Sequence, residues 1–179
     1  VLFTGRPLAL QSEEKQVNAI LNVWFGGTEA GAAIADVLTG KVSPTGKLTM
    51  SFPRVTGQCP IYYNHKMTGR PMSPDAWYTR YVSNYIDVLN EPLYPFGYGL
   101  SYTTYTYGDV SLNTNSMDAN GKIQASVIVT NTGAQDGEEI VQLYLRDIVR
   151  SITPPVQELK GFKRVALKAG ESKKVTFDI

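Results

Sequence analysis

The chain has 179 residues, 42% hydrophobic and 18% charged, an ordinary globular composition with room for one large domain or two small ones. Its 17 Lys and Arg against 16 Asp and Glu leave a formal net charge of +1, without the basic block that nucleic acid binding needs. No apolar stretch is long enough to cross a bilayer as a helix, and one cysteine (Cys59) with one histidine (His65) makes neither a disulfide nor a zinc-type ligand set.

The first 57 residues read as α/β. Val1-Leu2-Phe3 reads as a buried strand, followed by the loop Thr4-Gly5-Arg6-Pro7. Ala19-Ile20-Leu21-Asn22-Val23-Trp24-Phe25 is a nearly continuous apolar run, as in parallel strands covered on both faces, although a short buried helix has the same signature. Gly26-Gly27 breaks the run and Thr28 can cap a helix. Ala30, Ala33, Ile34, Val37 and Leu38 then recur at helical spacing until Gly40, a left-handed cap residue. The pattern predicts a helix over 28–38 with its Ala33, Ile34, Val37 and Leu38 face against strand 19–25. Glu29 is expected as a first-turn carboxylate facing the helix dipole.

Between residues 58 and 100 the periodicity dissolves. Pro60, Pro71, Pro74, Pro92 and Pro95 alternate with tyrosines and Trp77, the composition of a packed or functional loop and not of a floppy tether. From about Ser101 the chain reads as β. Ile123, Ala125, Val127 and Val129 alternate with more polar neighbours, as do Val141, Leu143 and Leu145, and then Val175, Phe177 and Ile179. Asn120-Gly121 and Thr132-Gly133 supply turns. The expected result for 101–179 is an antiparallel sandwich of immunoglobulin-like type, with Glu138-Glu139 as a charged face near a turn. Both ends of the sequence fall within strand patterns, so the chain reads as an excerpt of a longer protein, with both domains incomplete.

Several motifs occur in a telling order. They are Trp24-Phe25-Gly26-Gly27-Thr28-Glu29-Ala30-Gly31, Ser43-Pro44-Thr45-Gly46-Lys47-Leu48, Tyr62-Tyr63-Asn64-His65-Lys66 and Leu93-Tyr94-Pro95-Phe96-Gly97-Tyr98-Gly99-Leu100-Ser101. Val129-Thr130-Asn131-Thr132-Gly133 and Glu158-Leu159-Lys160-Gly161-Phe162 follow. Together they resemble the C-terminal portion of a family-3 glycoside hydrolase, in the branch of the bacterial periplasmic β-glucosidases. The resemblance implies the end of an α/β sandwich domain (1–57), a connecting loop rich in aromatics and proline (58–100) and a truncated fibronectin-III-like domain (101–179). It also implies a periplasmic or secreted, exo-acting, retaining enzyme that takes an oligosaccharide or β-glucoside and needs no cofactor. A homodimer is compatible with it.

Retaining glycosidases use two carboxyl groups about 5–5.5 Å apart. By the resemblance, the nucleophilic Asp belongs to an N-terminal barrel and the acid/base Glu to earlier parts of the α/β domain, so no catalytic residue is expected in this chain. The chain would act structurally, completing and bracing the cleft. Sugar rings stack on aromatics and hydrogen-bond to donors. His65, Arg70, Trp77, Tyr78 and Arg80 therefore form the candidate substrate rim. The rival readings are a β-xylosidase or α-arabinofuranosidase of the same family, or a non-catalytic fibronectin-like carbohydrate-binding module.

Overall fold

The structure, a computed structural model, describes residues 1–72 and 79–179. The chain forms two units. One comprises residues 1–35, 48–98 and 146–158, the other 36–47, 99–145 and 159–179. The stretch from 146 to 158, which in sequence separates two strands of the second unit, thus folds with the first.

The second unit is built on six strands: β1 (Tyr105–Tyr107), β2 (Ser111–Leu112), β3 (Gln124–Asn131), β4 (Gly137–Leu145), β5 (Glu158–Leu167) and β6 (Ser172–Asp178). β3 is the centre of a four-stranded sheet. β1 and β2 pair antiparallel with one edge of it in succession, and β6 pairs antiparallel with β3 in the register Ala125↔Phe177 and Val127↔Val175. β4 and β5 form a second sheet. The side-chain period of two puts Val129, Val175 and Phe177 from one sheet against Val141 and Leu167 from the other. This two-sheet sandwich is the expected one.

Four polar residues are buried in it, Thr103, Ser126, Asn131 and Glu139. Asn131 ends β3 fully covered, and its amide is fully used. Oδ1 accepts from Thr103 Oγ1 at 2.6 Å and from the Gly133 N–H at 3.1 Å, while Nδ2 donates to the Gln135 carbonyl at 2.7 Å and the Leu167 carbonyl at 3.2 Å. A buried amide left unpaired would cost about 1–3 kcal/mol. Glu139 corrects an expectation. It is not part of a charged turn face but 6% exposed, on the same side of β4 as Val141, and paired with Lys47 Nζ at 3.1 Å. Lys47 also donates to the Gly99 carbonyl at 2.8 Å. Gly99 lies so close to this chain that a Cβ would stand 2.3 Å from the Gly46 carbonyl oxygen, which only glycine avoids.

The first unit has little regular structure. Leu2 pairs with Asn22 in a parallel bridge, with Leu2 N–H on the Leu21 carbonyl (2.8 Å) and Val23 N–H on the Leu2 carbonyl (2.9 Å). The parallel pairing matches the expected direction, but neither run is a strand beyond this one bridge: Val1 and Phe3 are exposed, not buried, and Trp24 holds a φ of 49°, incompatible with extended backbone. One turn of helix, α1 (Gln11–Glu14), follows Leu10. The second helix, α2 (Ala30–Leu38), begins in this unit and ends in the other; it starts two residues later than expected, with Glu29 just ahead of it and no acid in its first turn. Gly40 closes it with φ 76°. No residue of α2 is buried, and Leu38 is 59% exposed. The expected apolar face is therefore only half covered, through Ile34 and Val37.

Phe52 is the buried centre of the first unit. Its backbone pairs with Tyr94, and its ring meets Trp24 edge-on at 5.8 Å and Tyr94 at 6.4 Å. Tyr94 stacks with Tyr98 at 5.3 Å. The proline- and tyrosine-rich motif thus serves as an aromatic ladder beside Leu48, which exchanges backbone hydrogen bonds with Gly97 and Tyr98.

Candidate functional site

The irregular segment after residue 53 is held by side chains that replace a missing backbone ladder. Gln58 is buried. Its Oε1 accepts from the backbone N–H groups of Arg54 (2.6 Å) and Val55 (3.4 Å), and its Nε2 donates to the carbonyls of Leu89 (2.8 Å) and Glu91 (3.3 Å). Tyr85 donates its hydroxyl to the Gln58 carbonyl. Asn90 accepts from the Tyr85 N–H and donates to the Ser83 carbonyl at 2.8 Å.

Ser83 N–H in turn donates to the Arg70 carbonyl at 2.8 Å, and Pro71 bridges Ser83. This closes a loop with Arg70 at one foot and Arg80 within it, both exposed. Next to Arg80, Tyr81 holds φ 67° and is 80% exposed, an uncommon backbone for a bulky aromatic. Trp77 and Tyr78, the aromatic half of the expected rim, lie outside the described residues. His65 is exposed on the preceding segment, with Nδ1 3.1 Å from the Lys66 carbonyl. Its own carbonyl accepts the Val156 N–H at 2.8 Å, and Lys66 bridges Pro155. Of the expected rim residues, Arg70 and Arg80 thus share one closed loop, while His65 is fastened to the 146–158 stretch.

Sequence reasoning missed three things. Gln58 gives no periodic signal. The 146–158 stretch reads as part of the β region. Glu139 was legible, because counting back by two from Val141 and Leu143 puts it on the inward face.

Glu139 also defines what the chain can do chemically. Its oxygens are engaged by Lys47 and by the Tyr107 hydroxyl at 3.2 Å, so it is a committed structural carboxylate and not half of a hydrolytic pair. Burial pushes the Tyr107 hydroxyl far above the ordinary tyrosine value, and the neighbouring Glu139 charge adds to the effect. Glu171 is lowered by the Lys168 backbone N–H and then by Lys173. Among the described residues no group of three His, Cys, Asp or Glu is placed to hold a metal ion.

The chain is 55% identical over 179 residues to the periplasmic beta-glucosidase of Salmonella typhimurium and 46% identical over 179 residues to a beta-xylosidase of Formosa agariphila. All of this chain is covered in both, but only 23% and 24% of those proteins. The crystal structure of beta-glucosidase from Listeria innocua in complex with isofagomine superposes with a TM-score of 0.93 at 47% identity, covering 99% of this chain and 25% of that one. The chain therefore spans about a quarter of the length of the relatives it matches. A fibronectin type III-like domain is matched over residues 139–179. The glycosyl hydrolase family 3 C-terminal domain is matched over residues 1–102, more than half of the sequence, and the chain belongs to that family.

Proposed function

We propose that this chain is the C-terminal part of a retaining, exo-acting β-glucosidase that removes terminal β-D-glucosyl residues from the non-reducing end, in the periplasm or outside the cell. The observation that carries this reading is its unbroken similarity, at 55% identity, to a protein named as a periplasmic beta-glucosidase. In this reading the two catalytic carboxylates belong to preceding parts of the protein, including a barrel domain that packs against this chain. The chain braces the cleft, and His65, Arg70, Trp77, Tyr78 and Arg80 form the outer rim of the sugar site. Arginine forks suit vicinal hydroxyls, and aromatic faces suit the apolar side of a pyranose ring.

The beta-xylosidase relative at 46% identity supports a second reading, in which the terminal sugar is xylose. The two are separated by assaying the full-length protein on nitrophenyl β-glucoside, β-xyloside and α-arabinofuranoside, with the product anomer followed by NMR. The proposal expects the β-glucoside to have the highest kcat/KM, with retention. A higher value on the xyloside favours the second reading, and no turnover of any glycoside refutes both. The isolated chain is expected to be inactive on an aryl β-glucoside. Turnover above a mock-purified control would place a catalytic pair inside it.

A further inference from the structure

The backbone of Arg70 is fixed by a run of hydrogen bonds that alternates between side chains and main chain. We propose that Asn90 is a positioning residue for substrate, acting through Arg70; the inference rests on the β-glucosidase reading and on Arg70 as part of its rim.

The run starts from a buried amide. Gln58 is 1% exposed, and its Nε2 donates to the carbonyls of Leu89 and Glu91, the two chain neighbours of Asn90. Its Oε1 is taken by the backbone N–H groups of Arg54 and Val55, so the amide is held at both ends. Val88 is buried just before this point. Both flanks of Asn90 are therefore fastened, and its half-buried side chain reaches back from a fixed base. Oδ1 accepts the Tyr85 N–H at 3.1 Å, five residues away, and Nδ2 donates to the Ser83 carbonyl at 2.8 Å, seven residues away. Ser83 is thus held by Asn90 through its carbonyl, and it holds Arg70 through its N–H, which donates to the Arg70 carbonyl at 2.8 Å.

The chemistry of each link suits the role. An amide donates through nitrogen and accepts through oxygen, so one side chain replaces a backbone ladder at two points; a carboxylate offers acceptors alone. Pro71 bridges Ser83 without an N–H of its own to donate. Arg70 itself is exposed. A guanidinium recognises oxygens through a planar fork, whose use depends on direction as well as on charge. A displacement of about 1 Å in such a positioning group can cost about a hundredfold in rate.

The test is a double-mutant cycle in the full-length enzyme on a β-glucosyl disaccharide, with KM, kcat and Tm measured for Asn90→Ala, Arg70→Ala and the pair. One hydrogen bond of ordinary net worth corresponds to about fivefold in an equilibrium constant. Asn90→Ala should raise KM by about that factor and change kcat far less. In the Arg70→Ala background the same substitution should leave KM unchanged, because the residue it positions is gone. Asn90→Asp keeps the acceptor for Tyr85 and loses the donor to Ser83, so its KM should match that of the alanine variant. A wild-type KM in Asn90→Ala or Asn90→Asp, beside a raised KM in Arg70→Ala, overturns the inference. So does a KM effect that multiplies with that of Arg70→Ala, or a lowered Tm with wild-type KM, which would make Asn90 a brace. A wild-type KM in Arg70→Ala removes the rim assignment and this inference together, and leaves the β-glucosidase reading standing. Failure of the wild type on every β-glucoside is a different result and overturns the functional reading as well.

Discussion

The two units hold themselves together in opposite ways. The sandwich is periodic, with its apolar residues alternating into a shared core and its buried Asn131 and Glu139 each held by several partners. The first unit has isolated bridges where a sheet would have ladders. A few pins, chiefly Phe52 and Gln58, fix its path and leave Arg70, Arg80 and Tyr81 exposed at the surface. Repetition yields a strut, whereas sparse pinning yields a shaped edge.

The comparison can be broken at its strongest point first. Lys47→Ala leaves Glu139 buried without its counter-ion and should cost about 3–5 kcal/mol in denaturant unfolding, with faster hydrogen exchange in β4. A loss under 1 kcal/mol would mean that water or a rearranged neighbour already serves Glu139. Gln58→Ala should cost less, about 1–3 kcal/mol, and its effect should stay local. Exchange should rise around residues 54–55 and 83–91 while the β3–β6 ladder keeps its protection. Loss of protection in both units would deny the separation drawn here. Leu38→Ala sharpens the comparison from below. On a helix with no buried residue it should change stability by no more than about 0.5 kcal/mol, and a cost of several kcal/mol would restore the packed helix face.

How much of this was legible in the sequence follows the same division. The sandwich was readable because strand alternation is local: Val127, Val129, Val175 and Phe177 announce their faces within a few residues. The strand at 19–25 was over-read, since an apolar run does not reveal that Trp24 takes a left-handed φ. The α2 face was over-read for a related reason, because periodicity says which residues share a side and not what covers it. The placement of the proposed rim residues was not legible. Residue chemistry singled out His65, Arg70 and Arg80, but their arrangement depends on Gln58 reaching carbonyls more than thirty residues away and on Val156 reaching His65, contacts that leave no local pattern.

The central claim is that the pinned segment, and not the sandwich, touches substrate. It is tested most directly by the kinetics of Arg70→Ala and Trp77→Ala in the full-length enzyme on a glucosyl disaccharide, with thermal unfolding as the control. The account predicts an unchanged Tm and a raised KM or an altered preference for the leaving-group sugar. Wild-type kcat and KM in both variants would contradict it and leave the segment as a brace alone.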